Sequence, residues 1–436
     1  MIPLPPRPRT LPIAPKAEPA RRRLPLAGEA RDVDRAFRPI IAVWELTLQC
    51  DLACRHCGSR AGRRRPDELT TDEALDLVRQ LAEIGCREVT VIGGEAYLRD
   101  DWVRIGQEVR ARGMELTITT GGRGMTPERA REAKEAGIQS ASVSVDALEP
   151  MHDSLRGVPG SWRAALAAMA NLKAVGIPVS CNTQIARPAL RQIEPLLDEL
   201  IAAGMHAWQV SMTVPMGRAA DEPGLILEPF QVLEVMPMIA RAARRLKQHR
   251  IRLWPGNDIG YFGPYETELR GRMPRGHMAA CGAGRLTLGI EADGSIKGCP
   301  SLPTKDYVGG NVRDDRLVDI WERAGALRFT RDRTRDDLWG YCAGCYYGDD
   351  CLGGCSWTAH VVFGRTGNNP FCHHRALELL REGRRERLVL ETPAEGKPFD
   401  HGVFALVTED WPADELARAR EVAATGEGWL LTTERG

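Results

Sequence analysis

The chain has 436 residues, 43% of them hydrophobic, enough for two domains or for one large barrel with an extension. Lys plus Arg (59) equals Asp plus Glu (59), so no net field favours nucleic acid or an anionic membrane surface. No apolar run approaches the ~18–20 residues a membrane span requires, and the Pro- and Arg-rich start M-I-P-L-P-P-R-P-R-T lacks the apolar stretch of a secretory leader. Twelve unevenly clustered cysteines, without such a leader, point to metal ligation in a reducing compartment, hence the cytoplasm, rather than a disulfide framework.

In chain order, residues 1–38 read as an extended Pro/Arg-rich segment, because Pro fixes φ and removes donors where apolar periodicity is missing. Arg21-Arg22-Arg23 could contact an acidic leader peptide, although such a charge run is usually just solvated. From 39 to 250 strand-like and helix-like stretches alternate. Strands are predicted at Ile40–Leu48, Glu88–Ile92, Glu115–Thr119, Ser140–Val145, Pro178–Ile185 and Ala207–Met212. Amphipathic helical stretches are predicted near 71–84, 101–112, 127–136, 161–175, 189–203 and 228–248, with apolar spacings such as Ala74, Leu77, Val78, Leu81. Such alternation predicts an α/β fold with a parallel sheet and right-handed crossovers. Six units are too few for the closed eight-fold barrel, so a partial, open (β/α)6 TIM-like barrel is expected, with functional loops at the C-terminal strand ends. Residues 251–280 form a bridge. Residues 281–385 form a cysteine-rich domain with little regular structure, including a hairpin turning at Asp293-Gly294. Residues 386–436 form an appendage, with a helical pattern at Pro412–Ala424 between Gly402–Val407 and Gly428–Thr432.

Ten cysteines fall into two ordered groups. Cys50, Cys54 and Cys57, in T-L-Q-C-D-L-A-C-R-H-C-G, follow the first predicted strand and so lie at the barrel mouth. A C-x3-C-x2-C loop offers three thiolates and no fourth, which suits a 4Fe–4S cluster with one iron open to a cofactor or substrate. A zinc site, or a ferredoxin-like cluster completed by a distant Cys, is the alternative. The later strand ends are glycine-rich or polar: Gly93-Gly94-Glu95, Thr119-Thr120-Gly121-Gly122, Ser144-Val145-Asp146 followed by His152 and Arg156, Ser180-Cys181-Asn182-Thr183, and Pro215-Met216-Gly217-Arg218. Glycines at such ends let a ligand approach the backbone. The second group is Cys281, Cys299, Cys342, Cys345, Cys351, Cys355 and Cys372, ordered C-x17-C, gap, C-x2-C-x5-C-x3-C, gap, C, with Gly294 giving G-x4-C at Cys299. Cys86 and Cys181 stand outside both groups and read as core filler.

On these residues the chain resembles a radical S-adenosylmethionine enzyme with a C-terminal SPASM domain, of the peptide-maturase type; the first set of landmarks covers roughly residues 40–220. The resemblance implies that Cys50, Cys54 and Cys57 ligate the 4Fe–4S cluster that binds S-adenosylmethionine. It implies that Gly93, Gly94 and Glu95 meet the methionine amino group, that Ser144 and Arg156 hold the ribose and carboxylate end, and that Asn182 adds a contact. It also implies two auxiliary 4Fe–4S clusters, three clusters in all. One would use Cys342, Cys345, Cys351 and Cys372; the other would use Cys281, Cys299 and Cys355, with a fourth ligand from another residue, water or substrate. A zinc-stapled lobe is the alternative. His56 stands where an aromatic residue is common, Ala96 where Pro is common, and Pro300 where sulfatase-maturing relatives carry Asp, which speaks against that activity. The sequence names no catalytic acid or base: Asp258, Tyr261, Tyr265, Asp306, Tyr346 and Tyr347 are as plausible as packing residues.

The implied reaction is reductive cleavage of S-adenosylmethionine to a 5′-deoxyadenosyl radical that abstracts hydrogen from a substrate. The auxiliary clusters would then accept the electron left after oxidation. A ribosomally made precursor peptide, crosslinked or oxidised at a side chain, is the leading substrate class. A small molecule of cofactor or tetrapyrrole biosynthesis is the alternative, and a non-enzymatic iron–sulfur electron carrier the third. A reductant such as flavodoxin or ferredoxin is expected as partner. The N-terminal segment is too short and too poor in core residues for a leader-recognition module. Recognition would fall to a separate protein, the barrel edge or the appendage.

Overall fold

The structure, a computed structural model, describes residues 23–259, 261–271 and 281–430. Most of the Pro/Arg-rich segment, including Arg21 and Arg22, lies outside the described residues, as do 272–280 of the bridge and the last two residues of Gly428–Thr432. All six predicted strands are present to within a residue at each end: β1 (Ile41–Thr47), β2 (Glu88–Gly93), β3 (Glu115–Thr120), β4 (Ser140–Ser144), β5 (Val179–Ile185) and β6 (Ala207–Met212). Six more follow: β7 (Arg252–Pro255), β8 (Thr287–Ile290), β9 (Ser295–Lys297), β10 (Val308–Asn311), β11 (Arg384–Thr392) and β12 (Val403–Asp410).

One sheet runs in the order β10-β9-β8-β1-β2-β3-β4-β5-β6-β7. Pairing is parallel from β8 through β1 to β7 and antiparallel across β8–β9 and β9–β10. Among the described residues nothing pairs β7 with β10, so the sheet is open. The crossover helices cover its outer face because their apolar stripes match the helical period. Leu77, Val78 and Leu81 of helix Thr71–Glu83 and Ile105 and Val109 of helix Trp102–Ala111 are buried in the main core. Thr70 and Glu73 form a capping box at the start of the first of these.

β8 pairs with β1 in parallel, Ile41 against Thr287 through Trp44 against Ile290. The cysteine-rich region therefore begins inside the barrel sheet. Its predicted hairpin is β8–β9, and Gly294 turns it at φ 86°, a left-handed conformation that favours glycine. The region carries helices Leu317–Arg323, Ser356–Phe363 and His373–Arg381, more regular structure than its turn-rich sequence suggests. Residues 32–36, expected to be extended, form a short helix instead, since the buried Asp34 is held by Arg31 (2.7 Å), Arg328 (2.8 Å) and Arg331 (3.1 Å). The appendage is the hairpin β11–β12 plus helix Ala413–Thr425, and residues 428–430 form no strand. It docks on helix Val232–Gln248 and its approach: Trp411 meets Phe230 edge-on at 5.1 Å, and Glu234 accepts from Leu430 N at 2.7 Å. Between β11 and β12 the chain leaves the hairpin, and residues 393–402 form a strap that reaches the barrel mouth. No helix among the described residues is long and apolar enough to cross a membrane.

Candidate active site at the barrel mouth

The loop after β1 is closed at its base by Gly62 N donating to Leu48 O (2.9 Å) and Cys50 N to Gly62 O (3.1 Å). Ala53 N and Arg55 N donate to Arg156 O and Leu155 O at the end of helix Glu149–Arg156. From the far side Arg218 donates to Cys54 O (2.6 Å) and Ala61 O (3.0 Å). Held this way, Cys50, Cys54 and Cys57 line one cavity of about 810 Å³ together with Gly93, Gly94, Glu95, Ser144, Arg156 and Asn182. All nine residues proposed from the sequence for this end of the site are brought together.

Each sulfur faces a donor. Leu52 N points at Cys50 Sγ (3.4 Å), Arg156 Nη1 at Cys54 Sγ (3.7 Å) and Ala61 N at Cys57 Sγ (3.4 Å). Such donors favour the thiolate. Burial pushes the Cys50 and Cys54 thiols up in the absence of a cation, so a bound metal must supply the charge that displaces the proton. The buried Asn182 Oδ1, His56 Nδ1 and Arg156 Nε line the same cavity and have no partner among the described residues. Buried polar atoms are rarely left unpaired. Three convergent sulfurs beside orphaned donors and acceptors fit an open-site cluster carrying an amino-acid and nucleoside ligand.

Gly93 and Gly94 owe their identity to a different contact from the one expected. A Cβ at Gly94 would stand 2.0 Å from Gln49 O and 2.9 Å from Cys50 Cβ, and one at Gly93 2.1 Å from Thr47 O. They let the end of β2 lie against the cysteine loop, where Gly94 N and Glu95 N donate to Thr47 O and Gln49 O (both 2.8 Å). Glu95 accepts from Gly121 N (2.6 Å) and the Thr120 hydroxyl. Burial, with Asp51 nearby, raises its carboxyl to about 8. Arg156 is also less free than its expected role suggests, since it is paired with Asp146 at 2.7 Å. Although burial opposes ionisation, Arg156 and His56 hold the Asp146 carboxyl well below its ordinary range. Asp146 further meets His56 Nε2 (3.1 Å) and accepts from Gln184 N (3.0 Å). Sequence reasoning did not assign Asp146 or Gln184 to the site; the period of two in β5, which puts Gln184 on the face of Asn182, was the available signal.

A second cavity of about 620 Å³ shares His56, Gly58, Ile92, Gly93 and Gln184 with the first. Its other walls are Glu45, Ser59, Val214, Met216, Pro300, Ser301, Trp357 and Phe399. Phe399 comes from the strap, which is latched to the cysteine loop by Phe399 N to Gly58 O (3.2 Å) and by Arg60 to Asp400 (2.8 Å). Burial raises the Glu45 carboxyl to about 7, against the pull of Arg65.

In the cysteine-rich region, Cys342, Cys345, Cys351 and Cys372 line one apolar cavity of about 370 Å³ with Tyr261, Phe262 and Tyr347. Cys281, Cys299 and Cys355 do not line that cavity; burial, then Cys281, pushes up both the Cys299 and the Cys355 thiol. Tyr261 packs in one buried cluster with Cys355, Cys351 and Cys372, and so touches members of both sets. Cys86 and Cys181 are buried in the main core. Tyr346 is 86% exposed, Tyr347 stacks on Phe262 at 4.4 Å, and Asp258 is buried, accepting from Met212 N at 2.6 Å.

Residues 44–187 match the radical SAM superfamily and residues 281–346 an iron–sulfur cluster-binding domain, SPASM. The chain carries a radical SAM domain and a SPASM domain. It is an enzyme of the radical SAM oxidoreductase type, whose domains use 4Fe–4S clusters and S-adenosylmethionine. It is 27% identical over 348 residues to an AdoMet-dependent heme synthase of Nitratidesulfovibrio vulgaris, covering 77% of this chain and 92% of that one. It is 29% identical over 325 residues to the mycofactocin maturase MftC of Mycolicibacterium smegmatis, covering 73% and 78%. The fold is also that of SuiB from Streptococcus suis, solved with its precursor peptide SuiA, at TM-score 0.58 and 17% identity over 78% of this chain and 76% of that one.

Proposed function

We propose that this radical SAM enzyme modifies a ribosomally made peptide by hydrogen abstraction with net oxidation, and that it holds three 4Fe–4S clusters. Cys50, Cys54 and Cys57 hold the first; Cys342, Cys345, Cys351 and Cys372 the second; Cys281, Cys299 and Cys355 the third. With S-adenosylmethionine bound, the first site supplies a carbon-centred radical able to take hydrogen from an unactivated carbon. The chain's own part is placement. Arg156, fixed by Asp146, offers Nε to an anionic group; Asn182 offers Oδ1 to a donor; Ser144 offers a hydroxyl from the end of β4. Val214, Met216, Trp357 and Phe399 keep water from the reacting carbon, while Gln184 and Glu45 orient the polar part of the substrate.

The observation that carries this reading is the second cavity, which shares His56, Gly58, Ile92, Gly93 and Gln184 with the first as lining residues. Its walls are mixed, apolar at Val214, Met216, Trp357 and Phe399 and polar at Glu45 and Gln184, and the mycofactocin maturase is a relative along most of its length. Anaerobic incubation of the reconstituted enzyme with reductant, S-adenosylmethionine and a panel of candidate precursor peptides is expected to give 5′-deoxyadenosine and a mass shift in one of them. A tetrapyrrole substrate is the second reading, favoured by the heme synthase relative, which this chain spans over 92% of its length. An unmodified peptide together with turnover of a porphyrin carboxylate would transfer the assignment there.

A further inference from the structure

Using none of the cysteines, three segments distant in sequence converge on one point. Asp306 lies in the short helix Thr304–Tyr307, His360 in helix Ser356–Phe363, and His401 at the end of the strap. One ligand atom from each lies within 4.8 Å of the other two. We propose that these residues form a mononuclear site for a divalent cation of the zinc type, which clips the strap to the SPASM region.

The donor set and its surroundings support this. Two imidazoles and a carboxylate suit Zn2+, and bonds of about 2.0 Å in tetrahedral geometry set neighbouring ligands about 3.3 Å apart. Asp306 Oδ2 and His360 Nε2 stand 3.2 Å apart. Metal-bound imidazoles are oriented by a hydrogen bond at the other ring nitrogen, and both rings have one. His360 Nδ1 meets the Tyr307 hydroxyl at 3.0 Å, and His401 Nδ1 meets Gly402 O at 2.7 Å. A carbonyl only accepts, so His401 carries its proton on Nδ1, and in the neutral ring Nε2 keeps its lone pair. No described residue donates to that Nε2. His360 is buried, whereas the Asp306 side chain is 43% exposed, which leaves an approach for the ion and a position for water. Neither the G-x4-C pattern nor the seven cysteines use any of these residues. The consequence is mechanical: Phe399 and Asp400, two and one residues before His401, are the strap's contacts with the substrate cavity and the cysteine loop.

The test uses cluster-loaded enzyme, kept anaerobic, mixed with two equivalents of Zn2+, gel-filtered and analysed for zinc and iron. Wild type is expected to retain about one zinc per chain more than His401→Ala or Asp306→Asn, with iron equal in all three as the check on folding. Equal zinc in wild type and variants would overturn the site. Hydrogen exchange then reads the clip: zinc should slow exchange across residues 393–402 in wild type and not in His401→Ala. Exchange there unchanged by zinc in wild type would overturn the clip.

Discussion

At the scale of single residues, spacing exposes what is covalently close and hides what packs. The C-x3-C-x2-C loop is visible in the sequence, because short spacings make sulfurs converge; that Cys372 joins Cys342, Cys345 and Cys351 in one cavity, while the nearer Cys355 does not line it, was implied by the family resemblance and not by spacing. The partner of Arg156 is not, since Asp146 lies ten positions away on another element and nothing local links the two. The same limit applies to Gly94, where the sequence shows a glycine but not the Gln49 carbonyl 2.0 Å from its missing Cβ. Gly94→Ala should therefore displace the cysteine loop; iron content per chain is expected to fall by about four atoms, one cluster's worth, with 5′-deoxyadenosine formation lost. Arg156→Met leaves Asp146 charged, buried and short of its strongest partner, a loss of about 3–5 kcal/mol. The exposed pair Arg131–Glu128 is screened by solvent and contributes little. Thermal scans should show a drop of several degrees for the first variant and none for Arg131→Met. Glu45 supplies a pH test. Its folded pKa of about 7 lies above the ordinary carboxylate value, so the folded state holds a proton the unfolded chain has lost. Stability contributed at this position declines as pH rises from about 4.5 to 7 and is then level. Glu45→Gln should raise the melting temperature relative to wild type at pH 8, with the gain shrinking toward pH 5.5.

Elements with strong periodicity are legible, and those carrying charge or glycine are not. β1 to β6 follow apolar alternation or continuous apolar runs bounded by turns, which is what a buried parallel strand looks like in sequence. β10 contains Gly309-Gly310, β7 ends in Pro255, and β11 opens Arg-Arg-Glu-Arg. Each owes its strand state to a neighbour rather than to its own propensity. The capping box on helix Thr71–Glu83 joins neighbours in sequence, Thr70 and Glu73, but no local pattern shows its second duty: Glu73 also binds Arg313 at 2.5 Å, tying the helix start to the turn after β10. Thr70→Ala removes only the cap, about 1 kcal/mol. Glu73→Ala removes the cap's return bond and the tie as well, so its melting temperature should fall further below wild type.

Over the whole molecule, the contacts that shape the mouth join residues hundreds of positions apart. Arg60 and Asp400 are separated by 340 positions, beyond the reach of any local pattern, and the strap they hold could not have been placed from sequence. Arg60→Ala should free it, and limited proteolysis is expected to cut within 393–402 faster than in wild type while Cys50, Cys54 and Cys57 still bind iron. The β8–β1 ladder has the opposite effect. Because β8 of the cysteine-rich half pairs with β1 over four positions of the same sheet, the described residues of the two halves share one frame, which fixes the mouth's three cysteines relative to the other sulfur sets. Electrons passing between them would cross a gap set at folding rather than on each turnover.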